Sequence, residues 1–103
     1  MFYRVRARLR KDTAADLRAK LLDGTIAAQK PDGQEIVASM ERAVVTDAGD
    51  ILWSEVCYCS TPLAHERATV YDHHFDNLET EAIGGYETHD GRPFMEHLAA
   101  LAP

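Results

Sequence analysis

A chain of 103 residues with 11 basic and 17 acidic side chains carries a formal charge of −6, and its length suits one compact domain spanning residues 1–103. With 46% hydrophobic and 27% charged residues, the composition excludes a disordered, collagen-like or disulfide-stapled chain. No apolar run approaches the roughly 20 residues that cross a bilayer, and the start Met1-Phe2-Tyr3-Arg4-Val5-Arg6 interleaves arginine with apolar residues where a secretory signal needs a continuous apolar segment, so a cytoplasmic protein without a membrane partner is expected.

From Tyr3 to Arg10 the chain alternates, with Tyr3, Val5, Ala7 and Leu9 on one side and Arg4, Arg6, Arg8 and Arg10 on the other, which predicts a strand with one apolar face. Asp12-Thr13, with Asp16 in the place of the usual capping-box Glu, opens a helix on Ala14, Leu17, Leu21 and Leu22 that Gly24 stops. Lys30-Pro31-Asp32-Gly33 is a turn. Residues 35–46 fit two periods. Ile36, Val37, Met40, Ala43 and Val44 make a helical stripe, yet Val44-Val45-Thr46 is β-rich and leads through Asp47-Ala48-Gly49-Asp50 into Ile51 to Cys59. The favoured reading is a hairpin whose first strand begins near Ile36.

Ser60-Thr61-Pro62 reads as a helix start, and Ala64, Ala68, Tyr71, Phe75 and Leu78 follow at helical spacing to an end near Asp76-Asn77. Leu78 to Ile83 is a last strand, Gly84-Gly85 a break, and Asp90-Gly91 a turn before a C-terminal helix from Pro93 that carries Phe94, Leu98 and Leu101. The order strand, helix, strand, strand, helix, strand predicts an α+β fold of the ferredoxin-like, split βαβ kind, a four-stranded antiparallel sheet with helices on one face and an extra C-terminal helix. Proteins of this shape can pair through the open sheet face into a dimeric α+β barrel, and a homodimer is expected because a domain this small gains from burying a second surface.

The arginine stripe is the most unusual local feature: five of the 11 basic residues fall in the first eleven positions, leaving 6 basic against 17 acidic residues, or −11, for the rest. It reads first as a salt-bridge ladder against Glu55, Glu79 and Glu81. The functional alternative is a floor for a small anionic ligand, built from Arg4, Arg6 and Arg8 with Trp53 and Glu55, because guanidinium forks match carboxylate and phosphate in bidentate geometry. Nucleic acid is not an expected partner, since the aromatic RNA-binding signature is missing and the net charge repels phosphate.

Cys57 and Cys59 point to one face of an extended strand beside Trp53 and Glu55. Their Cα atoms would lie about 6.6 Å apart, near the limit for a disulfide. With His65 they could ligate a soft metal, but one short pair leaves zinc underfilled, so neither a metal nor any other cofactor is expected. His65, His73 and His74 are the candidate catalytic bases, because Tyr71-Asp72-His73-His74 puts an acid beside imidazoles. His65 and His73, about 12 Å apart along a helix, cannot share one ion. Three functions follow: a structural or small-ligand-binding homodimer, a cofactor-free enzyme of the dimeric-barrel kind acting on an anionic molecule, or an interaction module docking through Phe94, Leu98 and Leu101. Whether the chain is an enzyme stays open at this stage.

Overall fold

The computed structural model describes residues 1–102. Strand β1 (Phe2–Leu9) buries Tyr3, Val5 and Ala7 and turns Arg4, Arg6 and Arg8 outward, the outcome its alternation dictates. A single tight turn (Lys11–Thr13) leads into α1 (Ala14–Leu22), which buries Ala14, Leu17 and Leu21 and gives way before Gly24 at φ +88°. The expected capping box does not form: Thr13 makes no side-chain cap, and its hydroxyl lies 3.4 Å from Arg10 O and 3.0 Å from His74 Nδ1 instead.

Residues 35–46 correct the favoured hairpin. Helix α2 (Gly33–Arg42) takes up most of the segment, and strand is confined to β2 (Val44–Val45). Ile36 and Met40, four apart and fully buried, fix the helical choice, and the β-branched pair forms strand only where it meets β3 (Ile51–Val56) across the Thr46–Asp50 turn. The next helix, α3 over residues 64–74, starts after Leu63, which is held at φ +57° with its side chain buried. Its middle, Arg67–Tyr71, is wound as a wider π turn. The helix stops at His74, and β4 (Phe75–Ile83) begins at once, so Phe75 and Leu78 belong to the strand and not to the helical stripe. A two-residue strand β5 (Arg92–Pro93) was not foreseen and precedes α4 (Phe94–Leu101).

The five strands form one open antiparallel sheet in the order β4-β1-β3-β2-β5. Tyr3, Val5 and Ala7 of β1 and Ile51, Trp53 and Glu55 of β3 share the face that packs with the helices, while buried Ser54 lies on the other, opposite Arg4. Trp53, Tyr71, Phe75 and Phe94 make its aromatic centre, with ring centroids 5.2 to 6.0 Å apart. In α4, Phe94 and Leu98 are fully buried and Leu101 packs on the same core, so this helix turns these three side chains into the molecule. Among the described residues no helix is long and apolar enough to cross a membrane.

Candidate functional site

Strand parity separates the residues first grouped as one ligand site. Arg4 and Arg6 stand opposite Ser54 and Leu52, whereas Tyr3 and Val5 stand opposite Glu55 and Trp53. Side chains alternate across a sheet, so Arg4, Arg6 and Arg8 lie on the open face and Trp53 and Glu55 lie beneath it among the helices. Glu55 therefore pairs with no arginine. On the open face Arg4 forks onto Glu87 at 2.7 and 2.8 Å and reaches Glu81 at 2.6 Å. Arg6 and Arg8 share Asp50 at 2.9 and 2.8 Å, and Arg10 takes Asp76 at 2.8 Å. Each guanidinium in the stripe already has a carboxylate, an arrangement that leaves little for a bound anion.

The three histidines go to two places. His65 Nδ1 lies 2.8 Å from Asp32 at the start of α2. His73 and His74 instead edge a recess of about 390 Å³ between α1 and α3, together with Thr13, Thr25, Gln29 and Thr69. His74 is the buried member, and burial pushes its imidazole below the ordinary histidine range, against a smaller upward pull from Asp16. Its Nδ1 is 3.0 Å from Thr13 Oγ1 and its Nε2 is 3.7 Å from Asp16 Oδ2. A neutral ring with its proton on Nε2, toward the carboxylate, accepts from the threonine hydroxyl on Nδ1; with its proton on Nδ1 it donates to that oxygen, and the hydroxyl donates to Arg10 O at 3.4 Å. Gln29 Oε1 is buried without a hydrogen-bond partner among the described residues.

A second recess, of about 280 Å³, opens where β3 ends, between Asp32 and Glu35 of the α2 segment, the thiols and Glu66. Both cysteines are free, Cys57 buried and Cys59 half-buried. Burial pushes the Cys57 thiol up to about 12, so on its own it is an inert thiol and no nucleophile. Glu66 from α3 brings its Oε1 to 3.5 Å from Cys59 Sγ. Glu35 accepts from Val56 N, Arg42 and the Tyr86 hydroxyl at 3.0, 3.1 and 2.9 Å. Behind this recess Glu55 is fully buried, its Oε1 accepting from Trp53 Nε1 and Tyr71 OH at 2.7 Å each. Burial raises its carboxyl to about 8, overriding these two hydrogen bonds, and Glu66 and Glu35 add to the rise. The sequence pointed to neither Glu66, Glu35 nor Asp32. Comparison with known proteins finds no matching family model, no similar curated protein and no similar solved structure.

Proposed function

We propose that the chain is a small-ligand-binding module of the ferredoxin-like class, with the recess between α1 and α3 as its binding site. The order β4-β1-β3-β2, with helical crossovers from β1 to β2 and from β3 to β4, supports that class, β5 being an addition at one edge. The observation that carries the binding reading is His74, a buried neutral imidazole opening on a recess of about 390 Å³. That volume lies within the range of small-molecule sites. Thr13, Thr25, Thr69, Gln29 and His74 line it, and its one lysine, Lys20, is tied to Asp16 at 3.1 Å. Such a wall suits a small neutral molecule rich in hydroxyl or amide groups better than the anion that the arginine stripe first suggested.

Thr13 supports a second reading, a cofactor-free enzyme. With the Nε2 proton toward Asp16, Nδ1 of His74 carries the ring's basic lone pair and Thr13 Oγ1 covers it at 3.0 Å, so a substrate hydroxyl that displaced Thr13 would meet a general base. The open, ionic sheet face fits a homodimer joined through the arginine strand, and the two free thiols fit a reducing, cytoplasmic setting. Two-dimensional amide NMR against a panel of small polyols, primary amides and carboxylates tests the leading reading. Saturable shifts are expected at Thr13, Thr25, Thr69 and His74, weakened in Thr25→Val. Shifts that instead gather on Arg4, Arg6 and Arg8 and need an anion would return the site to the sheet face, and turnover of a bound ligand would favour the enzyme.

A further inference from the structure

We infer that Cys57, Cys59 and Glu66 form a binding site for a thiophilic divalent cation of the zinc kind, with its fourth coordination position open to the recess beside them. This site is separate from the His74 recess and does not depend on it. Two thiols alone leave zinc short of ligands, the objection the sequence raised. The fold removes it by packing the first turn of α3 against the end of β3, which brings in a carboxylate seven residues beyond Cys59.

The distances fit the ion. The two Sγ atoms and a Glu66 carboxylate oxygen all lie within 4.8 Å of one another, and Cys59 Sγ is 3.5 Å from Glu66 Oε1. Tetrahedral zinc with bonds of about 2.3 Å to sulfur and about 2.1 Å to oxygen sets sulfur–sulfur edges near about 3.8 Å and sulfur–oxygen edges near about 3.6 Å. The observed sulfur–oxygen separation is already at the second value, so closing on an ion needs only small rotations of the side chains.

The surroundings lack a counter-charge. Glu66 is 1% exposed, and among the described residues it forms no ion pair; its hydrogen-bonding neighbours are the two thiols, Cys59 Sγ at 3.5 Å. The guanidinium of Arg42 goes to neighbouring Glu35 at 3.1 Å, and that of Arg67 to Asp72 at 2.9 Å. A buried acid either stays protonated, as Glu55 does, or pairs with a cation or a metal, and here the atoms closest to Glu66 are thiols, which select zinc, cadmium or cobalt over magnesium or calcium. The recess of about 280 Å³, lined by Cys57, Cys59 and Glu66 as well as Pro31, supplies a way in and room for a water or ligand atom as fourth partner. Leu63 at φ +57° and the π turn beginning at Arg67 flank Glu66 on both sides. They fix the first turn of α3 so that residue 66 faces the thiols.

The test uses the full chain, freed of metal by chelator and titrated with Co²⁺ under reducing conditions. One Co²⁺ per chain is expected, with thiolate-to-cobalt charge transfer in the near ultraviolet and the visible bands of a tetrahedral site. Zn²⁺ displaces it and Mg²⁺ does not. Cys59→Ser loses part of the charge-transfer intensity. Glu66→Gln keeps that intensity and weakens binding by about tenfold or more, taking the low end of what lost metal-site partners cost. A readout that needs no variant is alkylation of wild-type Cys59 by iodoacetamide, which Zn²⁺ slows and Mg²⁺ leaves unchanged. Cobalt bound without a thiolate band, alkylation indifferent to Zn²⁺, or a folded Glu66→Gln protein that binds Co²⁺ as tightly as wild type would each overturn the assignment.

Discussion

Glu55→Gln is the sharpest probe of the core, because the structure assigns this carboxyl an environment that only its protonated form tolerates. The side chain is fully buried and its carboxyl titrates at about 8, against 4.5 for the ordinary group. In the unfolded chain it ionises near the lower value. Between the two the folded state holds a proton that the unfolded state has lost, so the stabilisation is complete below the unfolded value and drains away as pH rises through the folded one. One unit is worth about 1.4 kcal/mol. From about pH 5 to about pH 7.5 the wild type should therefore lose about 3 kcal/mol through this group alone. Glutamine keeps an acceptor for Trp53 and Tyr71 and cannot ionise, but its amide donors meet the spot where Glu55 Oε2 has no partner, at a cost of about 1 to 3 kcal/mol. The variant should be the less stable protein at the acid end and should gain about 3 kcal/mol on the wild type by the alkaline end. Urea unfolding of both chains, with chelator present so that no metal binds the neighbouring thiols, measures that difference. His74 and the surface acids titrate alike in the two proteins and cancel. A difference that stays constant across the range would refute the reasoning, since it would mean that Glu55 is as ionised in the fold as out of it.

Three further outcomes are expected. Arg6→Gln, which removes one arm of the Asp50 bridge, should cost only about 0 to 1 kcal/mol in urea unfolding, the worth of an exposed pair; a loss of several kcal/mol would mean that the ladder carries the sheet. His74, buried and lowered, should titrate below the ordinary histidine value when its ring protons are followed by NMR, and the stability it contributes while neutral should fall as pH drops below the unfolded value near about 6.5; titration at or above that value would contradict the burial argument. If two copies meet through the arginine face, light scattering should return about twice 11.5 kDa at low salt and a falling apparent mass as salt screens the ion pairs; a monomer at every ionic strength would remove the dimer.

How much of this was legible in the sequence depends on where the decisive contacts lie. The alternation of β1 and the leucines of α1 carry their structure locally, in one period each, and the same holds for Phe94 and Leu98 of α4. Residues 35–46 carry two periods at once. Nothing local chooses between them, because the choice is made by the core that Ile36 and Met40 enter. The helical stripe through Ala64, Ala68, Tyr71, Phe75 and Leu78 misplaced the buried side of α3 for a more specific reason. The buried positions are Leu63, just before the helix, and Glu66, Val70, Tyr71 and His74 within it. From Leu63 they fall at ordinary helical steps of three and four, so the stripe missed all but Tyr71 because it was started one residue late, on Ala64. Had the stripe been drawn from Leu63 instead of Ala64, a glutamate would have fallen three residues on, on the side that enters the core. A charged residue at such a position is the one local sign that something other than packing is at stake. Its partners, Cys57 and Cys59, belong to the end of another element, and strand parity already set them on the face of Trp53 and Glu55. That same parity put the arginines on the opposite face, so the ligand set drawn across both could not close around one molecule. The residues that do converge come from the segment just after β3 and from α3, whose packing against each other no spacing rule along the chain could supply.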